Sequence, residues 1–252
     1  MTFASLCQVI NKAVLLPGTG SDEVFVTSVF AGPLAAAGLR LVAPVPMPGA
    51  ELAERHLADL DAAASNGPVL AGGISFGAHL AAEWALLHPD RCAGLLLAMP
   101  AWSGDPGGDS GAGSDRDPAL AAAAALASAD AVDADGLDVT LARITADSPP
   151  WLAGELDRSW RRQGRRLPVS LRVAARRPAP TLAALGRITV PVGVAACTDD
   201  PVHPLSVARA WADALPAAAL CTTTLADLDP DRESLGRVTV AAWRRATGHR
   251  AR

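Results

Sequence analysis

Val69-Leu70-Ala71-Gly72-Gly73-Ile74-Ser75-Phe76-Gly77-Ala78-His79 joins a short apolar run to a Gly-x-Ser-x-Gly pentapeptide. An Ala- and Leu-rich helical pattern containing Trp84 follows at once and runs to Leu87. Strand, sharp turn and helix form the context in which this pentapeptide has a mechanism: the turn holds the serine on strained backbone with its hydroxyl clear of the sheet. Gly73 and Gly77 suit such a turn because a Cβ at either would meet neighbouring backbone. Ser75 is therefore a candidate nucleophile. The competing reading is an ordinary strand-to-helix turn in a chain where Gly, Ser and Ala are common.

Alternation of strands and helices extends outward from this stretch. Upstream, Ala13–Leu16 is a short apolar strand running into Pro17-Gly18-Thr19-Gly20-Ser21-Asp22. The segment from Asp22 to Ala37 is helical in parts but interrupted at Gly32-Pro33, and Leu39–Val42 is a second strand. Glu51–Ala64 is a helix whose charged face carries Glu51, Glu54, Arg55 and Asp59, and His56 sits on what reads as an exposed helix. The elbow strand spans Pro68–Gly72, and Gly94–Met99 is the next strand. The alternation stops at Trp102. Ser103–Ser114 is a loop of Gly, Asp, Ser and Pro, and helical patterns follow at Pro118–Ser128, Gly136–Ala146, Pro150–Gly164 and Leu167–Ala175. It resumes with a strand at Ile188–Ala196, a helix at Pro204–Leu215, a strand at Leu220–Leu225 and a helix at Arg232–Arg245. Near-continuous apolar strands alternating with helices specify an α/β fold with a mostly parallel sheet covered on both faces. Its two halves, residues 1–101 and 181–252, flank an all-helical block at 102–180.

Bulk composition narrows the chemistry. The 252 residues are half hydrophobic and carry 22 basic against 26 acidic side chains, a formal net charge of −4 that gives no general reason to expect nucleic acid or an anionic membrane as partner. Lys12 is the single lysine, at the start of a strand, and tyrosine is absent, so lysine-base and phenolic-acid chemistry are disfavoured. Cys7, Cys92, Cys197 and Cys221 form no C-x-x-C pair and read as reduced thiols. Met1–Ile10 lacks a basic region followed by a signal-length apolar stretch, and no segment has 18 uninterrupted apolar residues, which leads to the expectation of a soluble cytoplasmic protein. No H-E-x-x-H, Cys/His cluster or acidic metal-binding loop occurs, so neither a metal nor a cofactor is expected. Gly18-Thr19-Gly20 begins like a dinucleotide fingerprint but lacks its third glycine.

The pattern resembles the α/β-hydrolase family over most of the chain, with a helical cap inserted after the strand that follows the elbow strand. The parts that carry the resemblance are Pro17-Gly18-Thr19-Gly20, Gly73-Ile74-Ser75-Phe76-Gly77 and Asp200-Pro201-Val202-His203-Pro204. It implies that Ser75 attacks an acyl carbon and that the backbone N–H groups of Phe76 and Thr19 form the oxyanion hole. It also implies that Asp200 is the acid of the triad, with Asp199 one residue of register away. A plain turn at Pro17–Gly20 and a loop-capping role for both aspartates are the competing readings.

The general base departs from the family pattern. Triad members in this fold run in the order serine, acid, histidine. The loop after the last strand, Leu225–Pro230, contains no histidine; Asp229 or Asp227 stands near the expected place, Asp229 as a candidate pocket residue, and His249 lies beyond the final helix. His203 is the substitute. A type I turn over Asp200-Pro201-Val202-His203 brings its ends within about 7 Å, so an Asp–His hydrogen bond across it is feasible. Pro204 would open the next helix, and a capping role at that helix terminus is the alternative for His203. His79, one turn after Ser75, either orients substrate and buttresses the elbow or packs in the core. Trp102 and Trp151 flank the helical block and either line an acyl pocket or simply pack. Arg158, Arg161, Arg162, Arg165 and Arg166 recur at helical spacing, as a solvated face or as a docking stripe for an acidic carrier protein.

The expectation is an esterase- or thioesterase-type serine hydrolase forming an acyl-enzyme on Ser75, with His203 as base. Its partner would be a small-molecule acyl substrate, free or carried by a protein. Two alternatives keep the scaffold but not the reaction: a silent binding protein, and a non-hydrolytic cyclase or lyase of natural-product biosynthesis.

Overall fold

The computed structural model describes residues 10–107 and 119–249. Cys7, residues 108–114 of the expected loop and Pro118 lie outside these. The elements run β1 (Lys12–Leu16), α1 (Glu23–Ala35), β2 (Arg40–Val42), α2 (Leu52–Ala63), β3 (Val69–Ile74), α3 (Phe76–Leu87) and β4 (Cys92–Ala98). The sheet is then interrupted by helices, the longer ones being α4 (Leu120–Asp135), α5 (Leu137–Thr145), α6 (Pro150–Gln163) and α7 (Leu167–Arg176). The chain finishes with α8 (Leu182–Leu185), β5 (Val192–Cys197), α9 (Leu205–Ala214), β6 (Ala218–Thr223), α10 (Leu225–Leu228) and α11 (Glu233–His249).

All pairings in the six-stranded sheet are parallel, in the order β2-β1-β3-β4-β5-β6. Side chains alternate across it as the pleat requires. Val14, Leu16, Val69 and Ala71 enter one apolar layer, with α2, α3 and Trp211 of α9. Ala13, Leu15, Leu70 and Ile74 enter the other, with α1 and α11. β3, β4 and β5 are buried on both faces, which is why they read as apolar runs rather than alternating ones. The chain leaves β1 towards β2 and returns beside β1 as β3. The carboxyl ends of β1 and β3 therefore border the crevice where the winding direction reverses, the usual place for a ligand in such sheets.

The helices between β4 and β5 have a small core of their own, made by Ala129, Leu141, Trp160, Leu167 and Leu171. They are tied to the rest of the molecule by polar contacts. Arg177, just past α7, bonds to Glu83 on α3 at 2.8 and 3.1 Å and to Glu54 on α2 at 3.0 Å. Ser170 accepts from the Gly49 amide at 2.8 Å.

Three local features differ from the sequence expectation. α1 runs unbroken through Gly32-Pro33. Pro33 removes the amide that would bond the Val29 carbonyl, and that carbonyl is packed against Gly236 of α11, where a Cβ would overlap it. Close helix packing thus absorbs the defect. β5 begins at Val192, after Pro191, and not at Ile188. The segment after β6 is the helix α10, held by a capping box in which the Thr224 hydroxyl and the Asp227 amide pair at 3.0 Å while Asp227 accepts from the Thr224 amide at 3.0 Å. No helix among the described residues is long and apolar enough to cross a membrane.

Gly236→Ala forces α11 off the Val29 carbonyl. Overpacking of this kind costs about 1–3 kcal/mol, so the variant is expected to melt about 2–10 °C below wild type by calorimetry.

Candidate active site

Ser75 sits between β3 and α3 with φ 52° and ψ −115°, a region that non-glycine residues rarely occupy and that costs of order 1–3 kcal/mol. Hydrogen bonds on both sides hold it there. Its amide donates to Ala98 O of β4 at 2.9 Å, and its carbonyl accepts from the Ala78 and His79 amides of α3 at 2.9 and 3.2 Å. The bend is possible because α3 starts hard against the end of β1. A Cβ on Gly73 would lie 2.6 Å from both Leu16 O and the Gly77 carbonyl carbon, and one on Gly77 would overlap Leu16 O.

Asp200 and His203 follow β5 at the same end of the sheet. The Asp200 carboxylate is 4% exposed and organises its own loop. Oδ1 accepts from the Val202 and His203 amides at 2.8 and 3.0 Å, and Oδ2 lies 2.9 Å from His203 Nδ1. The turn is therefore closed by the aspartate side chain, an Asx arrangement, where the sequence suggested a backbone type I turn. Burial pushes the Asp200 carboxyl up, but the His203 hydrogen bond, the imidazole charge and the two amides outweigh it and hold the group below its ordinary value. An ionised carboxylate only accepts, so it selects the His203 tautomer with hydrogen on Nδ1. Nε2 is then the acceptor, and it lies 2.9 Å from Ser75 Oγ. Pro204 is the N-cap residue of α9, one position earlier than expected, and the His203 ring takes no part in capping.

Two amides near the serine have no hydrogen-bond partner among the described residues. Phe76 opens α3, and first-turn amides have no intrahelical acceptor. Thr19 follows Gly18, whose carbonyl accepts from the Ser21 amide at 3.1 Å, so the turn is closed without using the Thr19 N–H. A Cβ on Gly18 would lie 3.5 Å from Ser75 Cβ, which puts this turn beside the serine. The positive end of α3 adds to any stabilisation of negative charge here.

A cavity of about 680 Å³ opens over Ser75, between the sheet and the helices that follow β4. Thr19, Asp200 and His203 line it. Most of the remaining wall is apolar, with Met99, Trp102, Trp151, Trp160 and Leu156 prominent. Trp102 and Trp151 thus both pack in the interior and face the cavity. Trp160, Met99 and Leu156 were not singled out by the sequence. Met99 directly follows β4, at φ 52°, a conformation without a local sequence signal.

Other candidate residues lie elsewhere. His79 is 2% exposed and does not line the cavity; its Nε2 accepts from the Ala101 amide at 2.9 Å, and its ring packs between Trp102 and Trp211. Asp199 caps α10 by accepting from the Leu225 amide at 2.6 Å and the Ala226 amide at 3.3 Å. Asp229 is exposed, away from the cavity wall, and its carbonyl accepts from Arg232. Phe76 contributes its amide, while its side chain is in the core. His56 lies on the buried face of α2, in step with Leu52 and Leu60, a four-residue spacing visible in the sequence but overlooked beside the neighbouring charges. Of the arginine stripe, Arg158, Arg161 and Arg162 pair with acids of this chain, and Arg158 reaches the buried Asp22, so the stripe is not simply a solvated face.

Burial lowers His79 to about 3, with the nearby His203 charge adding to the effect, and burial lowers His56 to about 4. Unfolding restores both to an ordinary value near 6.5, so the unfolded chain binds more protons between these limits. Their neutral forms add stability that is intact above pH 6.5 and lost as pH falls towards 4 and then 3. The melting temperature is expected to drop as pH is lowered from 7 to 5. His79→Gln, which does not titrate, should flatten that drop in a calorimetric pH series.

Among solved structures, the chain is similar to MenH from S. aureus, with a TM-score of 0.68 at 13% identity over 94% of each chain. It is similar to a thermophilic esterase from Thermogutta terrifontis, with a TM-score of 0.65 at 18% identity over 94% of this chain and 90% of that one. It is also similar to the enol-lactonase from Burkholderia xenovorans LB400, with a TM-score of 0.62 at 17% identity over 96% and 92%. At such identities the likeness is one of fold. A comparison with curated proteins finds no significant sequence match. The model of the alpha/beta hydrolase family matches residues 7–247, nearly the whole chain, and the protein belongs to that family.

Proposed function

We propose that the protein is a serine hydrolase of esterase or thioesterase type, in which Ser75 is the nucleophile, His203 the base and Asp200 the acid. The observation that carries this reading is the continuous path Asp200 Oδ2···Nδ1 His203 Nε2···Oγ Ser75, with 2.9 Å at each step. Serine, acid and histidine keep the chain order of the fold. The helices between β4 and β5 serve as the cap over the acyl group, and the free thiols of Cys92, Cys197 and Cys221 suit a cytoplasmic setting.

In the proposed reaction His203 Nε2 takes the Ser75 hydroxyl proton as Oγ bonds to the acyl carbon. The carbonyl π pair moves to oxygen, where the Thr19 and Phe76 amides stabilise it; one such donor is worth roughly 3–4 kcal/mol. Asp200 keeps the imidazole in the right tautomer and supports its positive charge. The imidazolium then protonates the leaving alcohol or thiol as its bond to carbon breaks. Water attacks the acyl-enzyme with His203 again as base, releasing the acid and restoring Ser75. The apolar wall favours an uncharged hydrocarbon acyl group. Among the described residues its charged lining groups are the carboxylates Asp147, Glu155 and Asp200, with no lysine or arginine to receive a second carboxylate.

Exposure to a fluorophosphonate followed by intact-protein mass measurement tests this reading. Wild type is expected to gain one adduct, and Ser75→Ala none. His203→Ala should label about 10²–10⁴ times more slowly, the usual contribution of a general base. Full-rate labelling of folded His203→Ala would place the base elsewhere. Absence of any adduct on folded wild type would refute the hydrolase reading in favour of a binding or non-hydrolytic role.

A further inference from the structure

Helix α6 does two things at once. Its inner face, with Trp151, Leu152 and Leu156, walls the cavity over Ser75. Along the same stripe and its flank the helix grips the turn after β1 at three successive residues, and Ser159 itself borders the cavity. The Ser159 hydroxyl, in a side chain 2% exposed, lies 2.7 Å from Gly20 O and 2.8 Å from Glu155 O of its own helix; its one proton is shared between them. The Gln163 amide donates to Ser21 O at 3.4 Å. Arg158 and Arg162 both pair with Asp22, which is itself buried and caps α1 through the Val24 and Phe25 amides at 3.0 and 3.3 Å. Thr19 is the residue immediately before this gripped tripeptide. Its amide is left without a partner.

Resting on the triad reading above, we infer that α6 positions the oxyanion hole, with Ser159 as the principal positioning residue acting through Gly20 O on the Thr19 amide. A peptide plane fixed at Gly20 O restricts the preceding residues, because only φ and ψ of Thr19 and Gly20 intervene. Preset donors stabilise the oxyanion far better than donors that must reorient during reaction. The helix that touches the acyl group thereby also sets the electrostatics of the reacting carbon. A substrate that seats well against Trp151 and Leu156 keeps the turn in place, and displacement of α6 loosens it. Within residues 17–22 the Ser21–Gly18 hydrogen bond closes the turn, but its anchors on α6 lie more than 100 positions away.

Ser159→Ala removes the donor without adding volume. Turnover of a p-nitrophenyl ester is expected to fall about 10–100-fold in kcat, less than the loss of a complete oxyanion donor, with KM within about twofold. Affinity for an alkyl boronic acid, which adds to Ser75 Oγ and places a tetrahedral oxygen in the hole, should fall by a similar factor. Ser159→Thr, which keeps the hydroxyl, should recover most of both. Gln163→Ala should give a smaller drop of the same kind and carries the test if Ser159→Ala does not fold. Arg161→Ala, whose partners Asp138 and Asp157 lie on the helices themselves, should match wild type. Folded Ser159→Ala or Gln163→Ala variants with wild-type kcat and boronate affinity would overturn the inference alone. A folded wild type that neither turns over ester nor binds boronate would overturn the triad reading, and this inference with it.

Discussion

The amino end of α3 is pressed against the carboxyl end of β1, with Gly77 against the Leu16 and Pro17 carbonyls and Gly73 beneath it. This contact leaves no room for a Cβ at either glycine and obliges the chain to turn at Ser75 through a left-handed conformation. The strain is offset locally, because the serine amide and carbonyl are both bonded to the framework. One packing constraint thus puts a hydroxyl above the sheet and leaves the Phe76 amide, a first-turn donor without an acceptor, beside it. The same approach brings the turn after β1 to the serine. Two elements distant in sequence consequently line one cavity.

The second half of the site depends on a single carboxylate. Asp200 folds its own loop by accepting two backbone amides on one oxygen, and it orients His203 with the other. Acid and proposed base therefore lie three residues apart on the β5 loop. The segment after β6, where the family pattern would put the histidine, is occupied by α10 with its Thr224–Asp227 box and its clamp from Asp199. Neighbouring aspartates are divided in role by what surrounds them. Asp200 is buried against an imidazole, and Asp199 faces two helix-start amides.

The helices between β4 and β5 are more than a cover. Their own core is small, and they are joined to the sheet layer through Arg177, Ser170 and the Asp22 cluster. Asp22 is held below its ordinary carboxylate value: burial opposes this, but Arg158 and the two capped amides outweigh it. Removing the arginine side would leave the buried Asp22 carboxylate uncompensated, which is costly. It makes α6 and the turn after β1 one mechanical unit.

Much of the architecture was legible in the order of residues because it follows from short-range periodicity. Apolar runs at β1, β3, β4 and β5, helical patterns between them, and the Gly-x-Ser-x-Gly turn are encoded within a few residues each. Asp200-Pro201-Val202-His203 was legible as a turn able to join its own acid and imidazole, since that bond is local. The burial of His56 had a readable signal in its four-residue spacing from Leu52 and Leu60. The continuity of α1 through Pro33 had none, because it depends on Gly236 some 200 positions away. By itself the sequence determined the α/β class, the strained serine and the acid–imidazole loop, all set by contacts a few residues apart. Only the tertiary structure decided that His203 Nε2 meets Ser75 Oγ, that His79 faces the core, and that α6 grips the turn after β1. Those pairings join residues far apart in the chain, and which of them form is chosen by how the helices and the sheet pack together.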